Sequence, residues 1–232
     1  MTERFAIYYA PSATGHLWER AATWLGRDAS TGETLDGTVA GLDRSRLLNL
    51  TQSANRYGFH ATIKPPMTLA EGRDEAQLRA GLADFAASHQ PFSLGRLKLG
   101  LLDGFLALLA DEAGPELADF AASIVENFEP FRGPLTPRER DRRLAHGLDA
   151  RQTELLDRYG YPYVLDQFRF HMTLSDRLDP ADAPDIMSAA QTWFGPVLED
   201  EILLDRLSLF HEADSGKPFS RLADFRLGAP AS

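Results

Sequence analysis

The stretch Arg56-Tyr57-Gly58-Phe59-His60-Ala61-Thr62-Ile63-Lys64 constrains this chain more than any other. Taken as a strand, its side chains alternate between two faces. Tyr57, Phe59, Ala61 and Ile63 form an apolar face; Arg56, His60, Thr62 and Lys64 form the other, with Gly58 between them. A strand buried on both sides would have to hide two cations and a titratable base. Charged side chains are rarely fully buried, so the polar face is expected to line a groove.

The pattern recurs in Phe168-Arg169-Phe170-His171-Met172-Thr173-Leu174-Ser175, where Phe168, Phe170, Met172 and Leu174 share one side and Arg169, His171, Thr173 and Ser175 the other. Both copies read Phe-His-x-Thr-apolar, with an arginine on the histidine's face. With 6 His and 13 Thr in 232 residues, chance supplies about 0.3 His-x-Thr matches. The plain alternative is a pair of half-buried strands whose His and Thr only satisfy hydrogen bonds.

Two His-x-Thr motifs in one chain resemble the two-histidine (2H) phosphoesterase superfamily. The resemblance extends to a family encoded beside phosphonate-degradation genes, through Phe5-Ala6-Ile7-Tyr8-Tyr9-Ala10-Pro11, Trp24-Leu25-Gly26, Arg56 to Pro66, and Gly160-Tyr161-Pro162-Tyr163 leading into Phe168 to Leu174. It covers nearly the whole chain. It implies two similar lobes of antiparallel sheet with covering helices, facing each other across a central cleft. It also implies a substrate from phosphonate breakdown, a ribose with a 5-phosphate and a 1,2-cyclic phosphate, with nucleoside 2′,3′-cyclic phosphates as the alternative.

The order of elements agrees with an α+β fold. Phe5 to Tyr9 reads as a strand, with Ala6 and Tyr8 on the face opposite Phe5, Ile7 and Tyr9. Leu17 to Leu25, Asp74 to Ser88 and Pro115 to Phe128 carry helical stripes, and Asp28 to Gly41 reads as loop. Phe92 to Leu99 and Phe105 to Leu109 form a hairpin turned at Leu102-Asp103-Gly104. Thr136, Pro137 and Glu139 start a capped helix expected to run to Arg158. A further helix follows Asp179-Pro180, and strands at Ile202 to His211 and Phe219 to Leu227 close the chain. No composition break marks a linker, so residues 1–232 read as a single two-lobed domain.

The chain has no cysteine, which excludes disulfides and thiolate chemistry. Met1-Thr2-Glu3-Arg4 has no signal-like apolar run, and no stretch approaches the ~18 apolar residues of a membrane span, so a cytoplasmic protein is expected. A net charge of −10 disfavours long nucleic acid and favours a small ligand held by a few local cations.

Two histidines are the minimum equipment for opening a cyclic phosphodiester. One neutral imidazole takes a proton from water, and one imidazolium gives a proton to the departing alkoxide. His60 and His171 are the candidate pair, with Thr62, Thr173, Arg56, Lys64 and Arg169 as candidate phosphate ligands. The scheme calls for no metal and no cofactor. Which histidine is base is open, and the cations are equally well read as solvated edge charges. Tyr8 is either a groove-lining residue or an ordinary core tyrosine, and the core reading is preferred. Arg138, Arg142 and Arg143, within a cluster that includes Arg132 and Arg140, are either a solvated helix face or a second-phosphate site.

The remaining histidines, His16, His89, His146 and His211, lack a partner threonine, and no Walker, Gly-x-Ser-x-Gly or His-Glu-x-x-His sequence is present. Three functions compete: a metal-independent cyclic phosphodiesterase, a metal hydrolase recruiting distant carboxylates, and a nucleotide-binding module without turnover. Chelator sensitivity separates the first two; tight binding of a cyclic phosphate without product identifies the third.

Overall fold

The computed structural model describes residues 3–110, 114–145 and 147–229, so Met1, Thr2 and His146 lie outside the described residues. In chain order the elements are β1 (Arg4–Tyr9), α1 (His16–Leu25), α2 (Arg44–Asn49), α3 (Gln52–Tyr57), β2 (Ala61–Met67), α4 (Glu75–Ala87), β3 (Phe92–Ser93), β4 (Lys98–Leu102), β5 (Phe105–Leu109), α5 (Pro115–Asn127), α6 (Pro137–Leu144), α7 (Ala150–Tyr159), β6 (His171–Arg177), α8 (Ala183–Phe194), β7 (Leu203–Leu204), β8 (Arg206–Glu212) and β9 (Ser220–Arg226). No helix among the described residues is long and apolar enough to cross a membrane.

The fold is α+β, and the pairings between these strands are antiparallel. One seven-stranded sheet has the order β4-β5-β6-β2-β1-β8-β9, and β3 pairs with β7 alone. The two motif strands, β2 and β6, are neighbours at the middle of the large sheet. They are joined by a single register pair, Ala61 with Met172. A three-stranded part made from the middle of the chain therefore meets a four-stranded part made from its two ends. One cluster of buried side chains runs through both parts, from Phe5 and Trp24 through Ile63, Phe128 and Phe194 to Leu227.

Local chemistry explains most element boundaries. Leu17, Ala21 and Leu25 form the buried stripe of α1, which stops where Gly26 takes a left-handed conformation. Asp103 and Gly104 both adopt positive φ, the primed turn that an Asp-Gly pair favours between β4 and β5. Phe92 and Ser93 leave that hairpin and pair instead with Leu204 and Leu203.

Two expectations are corrected. The helix starting at Thr136 has the full capping box with Glu139, but it ends at Leu144; Gly147 turns left-handed, and Asp149 caps a new helix with Gln152. Arg56 and Tyr57 end a helix instead of starting a strand. The N-terminus of α3 is capped by the Asp176 carboxylate, which accepts from the amides of Ser53 and Ala54. That cap comes from β6, so nothing in the local sequence announces it.

Candidate functional site

Gly58 sets the first histidine. Its φ of 78 and ψ of 172 are accessible to glycine alone, and a Cβ there would lie 2.6 Å from the Cβ of Ala29. The turn aims the Gly58 carbonyl at His60, whose Nδ1–H donates to it at 2.8 Å. The second histidine repeats this: His171 Nδ1–H donates to the carbonyl of Arg169, also at 2.8 Å. A carbonyl can only accept, so each Nδ1 carries the proton. In the neutral ring Nε2 is then the free base. Thr62 Oγ1 donates to His60 Nε2 at 3.1 Å.

The two rings open onto one cleft. A cavity of about 580 Å³ is lined by His60, Tyr8, Thr62, Thr173, Tyr57 and a set of arginines. An adjoining cavity of about 500 Å³ is lined by His171, Tyr163, Phe168, Gln152, Gln167 and Arg169, and it shares Thr62, Phe105 and Tyr161 with the first. The shared residues make the junction between the two histidines.

Burial lowers the pKa of His60 to about 4, opposed by the bond to the Gly58 carbonyl and reinforced by the like charge of His171. The ring also stacks on Tyr8, with centroids 3.7 Å apart. Burial lowers His171 as well, while the Arg169 carbonyl and the nearby Asp103 carboxylate pull it back up. The Tyr8 phenol is 1% exposed and its pKa is pushed well up by burial, so it stays neutral.

The cations named from the sequence go to different places. Lys64 is 1% exposed; its Nζ donates to Glu129 at 2.8 Å and to the Val125 carbonyl at 2.9 Å. The cause is a register slip: Thr62 pairs with Tyr8, but Lys64 pairs with Ile7, so one extra residue on β2 turns Lys64 away from the threonine's face. Arg56 also points away from the histidines, pairing with the buried Glu212 and lying over Tyr57 and Phe219. Neither cation is presented to the cleft as the alternation predicts. Arg169 is exposed and lines the His171 side.

In the basic cluster, Arg142 and Arg143 line the His60 cavity, whereas Arg138 lines only a neighbouring groove, beside Arg56 and Ser215, which Arg4 and Arg142 also border. The cleft residues come from the last turn of α6, not from its N-terminus. Arg140 is spent on Asp157.

Sequence reasoning passed over Arg4, Arg177, Tyr57, Phe105 and Tyr161, all of which line the first cavity, and set Tyr8 aside as core. Arg4 is legible from the alternation, since it lies in phase with Ala6 and Tyr8, two residues before Ala6. Tyr161 belongs to the Gly160-Tyr161-Pro162-Tyr163 segment, which has no periodicity to show which ring faces in. Among the described residues no group of three or more His, Asp or Glu side chains gathers as a metal site would require.

A family model described as protein of unknown function (DUF1045) matches residues 62–220. A curated protein of Janthinobacterium sp. (strain Marseille), named ribose 1,5-bisphosphate phosphokinase PhnN, is 36% identical over 221 residues, covering 93% of this chain and 49% of that protein. A protein of the same name from Laribacter hongkongensis (strain HLHK9) is 34% identical over 218 residues, covering 93% of this chain and 50% of its own length. The chain thus spans about half the length of these curated relatives. Among solved structures, E. coli LigT complexed with 3′-AMP superimposes with a TM-score of 0.46 at 11% identity, covering 99% of this chain and all (100%) of that one. LigT complexed with ATP gives 0.45 at 11% identity, covering 98% and 99%.

Proposed function

The chain belongs to the DUF1045 family, and on that footing we propose that it is a two-histidine cyclic phosphodiesterase working without a metal. One observation carries the reading. Both imidazoles are held at Nδ1 by a main-chain carbonyl two residues back, which leaves Nε2 as the free nitrogen of each, and the two rings line adjoining cavities that share Thr62.

The different surroundings of the rings support one division of roles. His60, the more depressed of the two, is neutral at pH 7 and serves as the base. His171, lowered by burial but pulled back up by the Arg169 carbonyl and Asp103, takes the part of the acid, and a bound negative phosphodiester raises its pKa. Water approaches the phosphorus and gives a proton to His60 Nε2 as its oxygen–phosphorus bond forms. The bond from phosphorus to one ring oxygen breaks, and that alkoxide takes the proton from His171 Nε2. The product is a phosphate monoester and a free hydroxyl. Thr62 and Thr173 donate to the non-bridging oxygens, where charge builds; Thr62 leaves His60 Nε2 to do so.

The proposed substrate is a ribose 1,2-cyclic phosphate bearing a 5-phosphate. Breaking the bond to the 2-oxygen gives ribose 1,5-bisphosphate, the sugar in the name of both relatives. This supports a link to phosphonate breakdown, where the sequence resemblance also pointed. A nucleoside 2′,3′-cyclic phosphate is the second reading, favoured by the aromatic and amide side chains of the His171 cavity, Tyr163, Phe168, Gln152 and Gln167. A panel of cyclic phosphates followed by phosphorus NMR, before and after exhaustive EDTA treatment, tests all of this. Ring opening that survives the chelator is expected; activity that vanishes and returns only with a divalent ion would overturn the metal-independent scheme.

A further inference from the structure

The His60 end of the cleft carries more positive charge than one cyclic phosphodiester requires. Arg4, Arg142 and Arg143 converge there from β1 and the last turn of α6. This happens in a chain whose net charge is −10. Arg4 is already paired with Glu212. Arg143 lies over the Tyr161 ring, 5.1 Å from its centroid, and its Nε is buried with no hydrogen-bond partner among the described residues. A buried donor left unpaired costs stability unless something else occupies it. The opposing charges are few. Glu139 feels both Arg142 and Arg143, but its carboxylate is bound to the amide and hydroxyl of Thr136. Asp176 is bound to the amides of α3. Arg140, on the same helix, is consumed by Asp157 and points elsewhere.

The reacting diester belongs at the junction of the two cavities, where Thr62, Phe105 and Tyr161 are shared. A monoanion held there by two imidazoles and two hydroxyls leaves the arginine end unfilled. We propose that Arg142 and Arg143, backed by Arg4, form a subsite for a second phosphate, a dianionic monoester carried by the same sugar as the cyclic phosphate. This rests on the phosphodiesterase reading and narrows it to doubly phosphorylated sugars. Two forked guanidinium groups match the geometry of a terminal phosphate. Arg138, in the neighbouring groove, is left out of the subsite.

The test compares Arg142→Gln/Arg143→Gln with wild type on two substrates, ribose 1,2-cyclic phosphate with and without its 5-phosphate. The expected result is that the ratio of kcat/KM, phosphorylated over unphosphorylated, falls about tenfold or more, mainly through KM for the phosphorylated sugar. Calorimetry with ribose 5-phosphate as the probe should show about the same loss of affinity. Equal losses on both substrates, or unchanged binding of ribose 5-phosphate, overturn the proposal. So does a matching effect of Arg140→Gln, which removes one positive charge from the same helix without touching the cleft. If the double variant fails to fold by circular dichroism, Arg142→Gln alone, at an exposed position, is read by the same criteria. If wild type opens neither substrate, the phosphodiesterase reading falls, and the ribose 5-phosphate titration still decides whether the subsite exists.

Discussion

An imidazole held at Nδ1 by a carbonyl has one nitrogen to offer, and His60 and His171 line two adjoining cavities. Each single substitution, His60→Ala or His171→Ala, should lower kcat by about 10²–10⁴ with the protein still folded, the usual worth of one general acid or base. The double variant should lose far less than the product of the singles, because one missing partner already disables the concerted route. A folded single variant with near-wild-type turnover removes the mechanism. The pH dependence has a definite sign. The base must be neutral, so activity falls as pH drops towards the His60 value of about 4. The acid must be protonated, so activity falls as pH rises past the His171 value, which burial sets below the ordinary 6.5. The bell for kcat/KM, which reports the free enzyme, should therefore peak between these limits, with the bell for kcat displaced upward by the charge of the bound phosphate. A kcat/KM optimum above pH 7.5 would show that the limits are not set by these two lowered imidazoles. Gly58→Ala offers a gentler probe, since it forces a β-carbon into the gap before Ala29 and moves the carbonyl that orients His60. It should cost about 1–3 kcal/mol of stability and depress kcat more than KM. Wild-type kcat in a folded Gly58→Ala protein would show that the carbonyl does not position the base.

At the scale of elements, the sequence is informative wherever local chemistry decides. The Asp-Gly turn, the Thr136 capping box and the stripe of α1 all formed from residues adjacent in the chain. The histidines and threonines of the two motifs were legible because their alternation holds over the short distance from His to Thr. Lys64 was misplaced by the same rule applied two residues further, across a bulge that only the pairing with β1 reveals. Its half-buried partner Glu129 is far along the chain, so no local pattern signalled the pair. The bulge makes a prediction about Lys64: its loss should be a matter of folding. Lys64→Ala leaves the Val125 carbonyl without its donor and weakens the hold on Glu129, although Arg132 still pairs with that carboxylate. A loss of about 3 kcal/mol is expected, the lower end for a broken buried pair. It should be read by urea denaturation, with kcat of the folded fraction within about twofold of wild type, since no transition-state contact is removed. A stable Lys64→Ala protein with a large kcat defect would return the lysine to the phosphate.

Over the whole molecule, the distance between the two histidines depends on how the two parts of the sheet are fastened, and the sheet itself contributes little. One register pair joins β2 to β6. Further ties come from a slip in β6, where Phe105 pairs with Arg177 but Ala107 pairs with Thr173. The residues released by that slip turn to the other part of the molecule. The Leu174 carbonyl accepts from the Trp24 indole of α1 at 2.8 Å, the Asp176 amide donates to the Leu50 carbonyl at 2.7 Å, and the Asp176 carboxylate caps α3. Helix α3 ends at Tyr57, immediately before Gly58, so this carboxylate on the His171 strand holds the segment that aims His60. Such a tie links residues more than a hundred positions apart, which is why the sequence shows both motifs but not what holds them in register. Asp176→Ala should cost about 0.5–2 kcal/mol, the ordinary worth of an N-cap, and should lower kcat for every cyclic phosphate alike, because it displaces His60 and not one substrate group. Asp176→Asn keeps an acceptor oxygen for the α3 amides and should recover most of both losses. Melting temperature and kcat measured on the two variants decide the point: an Asn variant that melts like wild type yet is as inactive as the Ala variant would mean that the Asp176 charge acts on the substrate directly, whereas joint recovery of stability and rate assigns it to positioning.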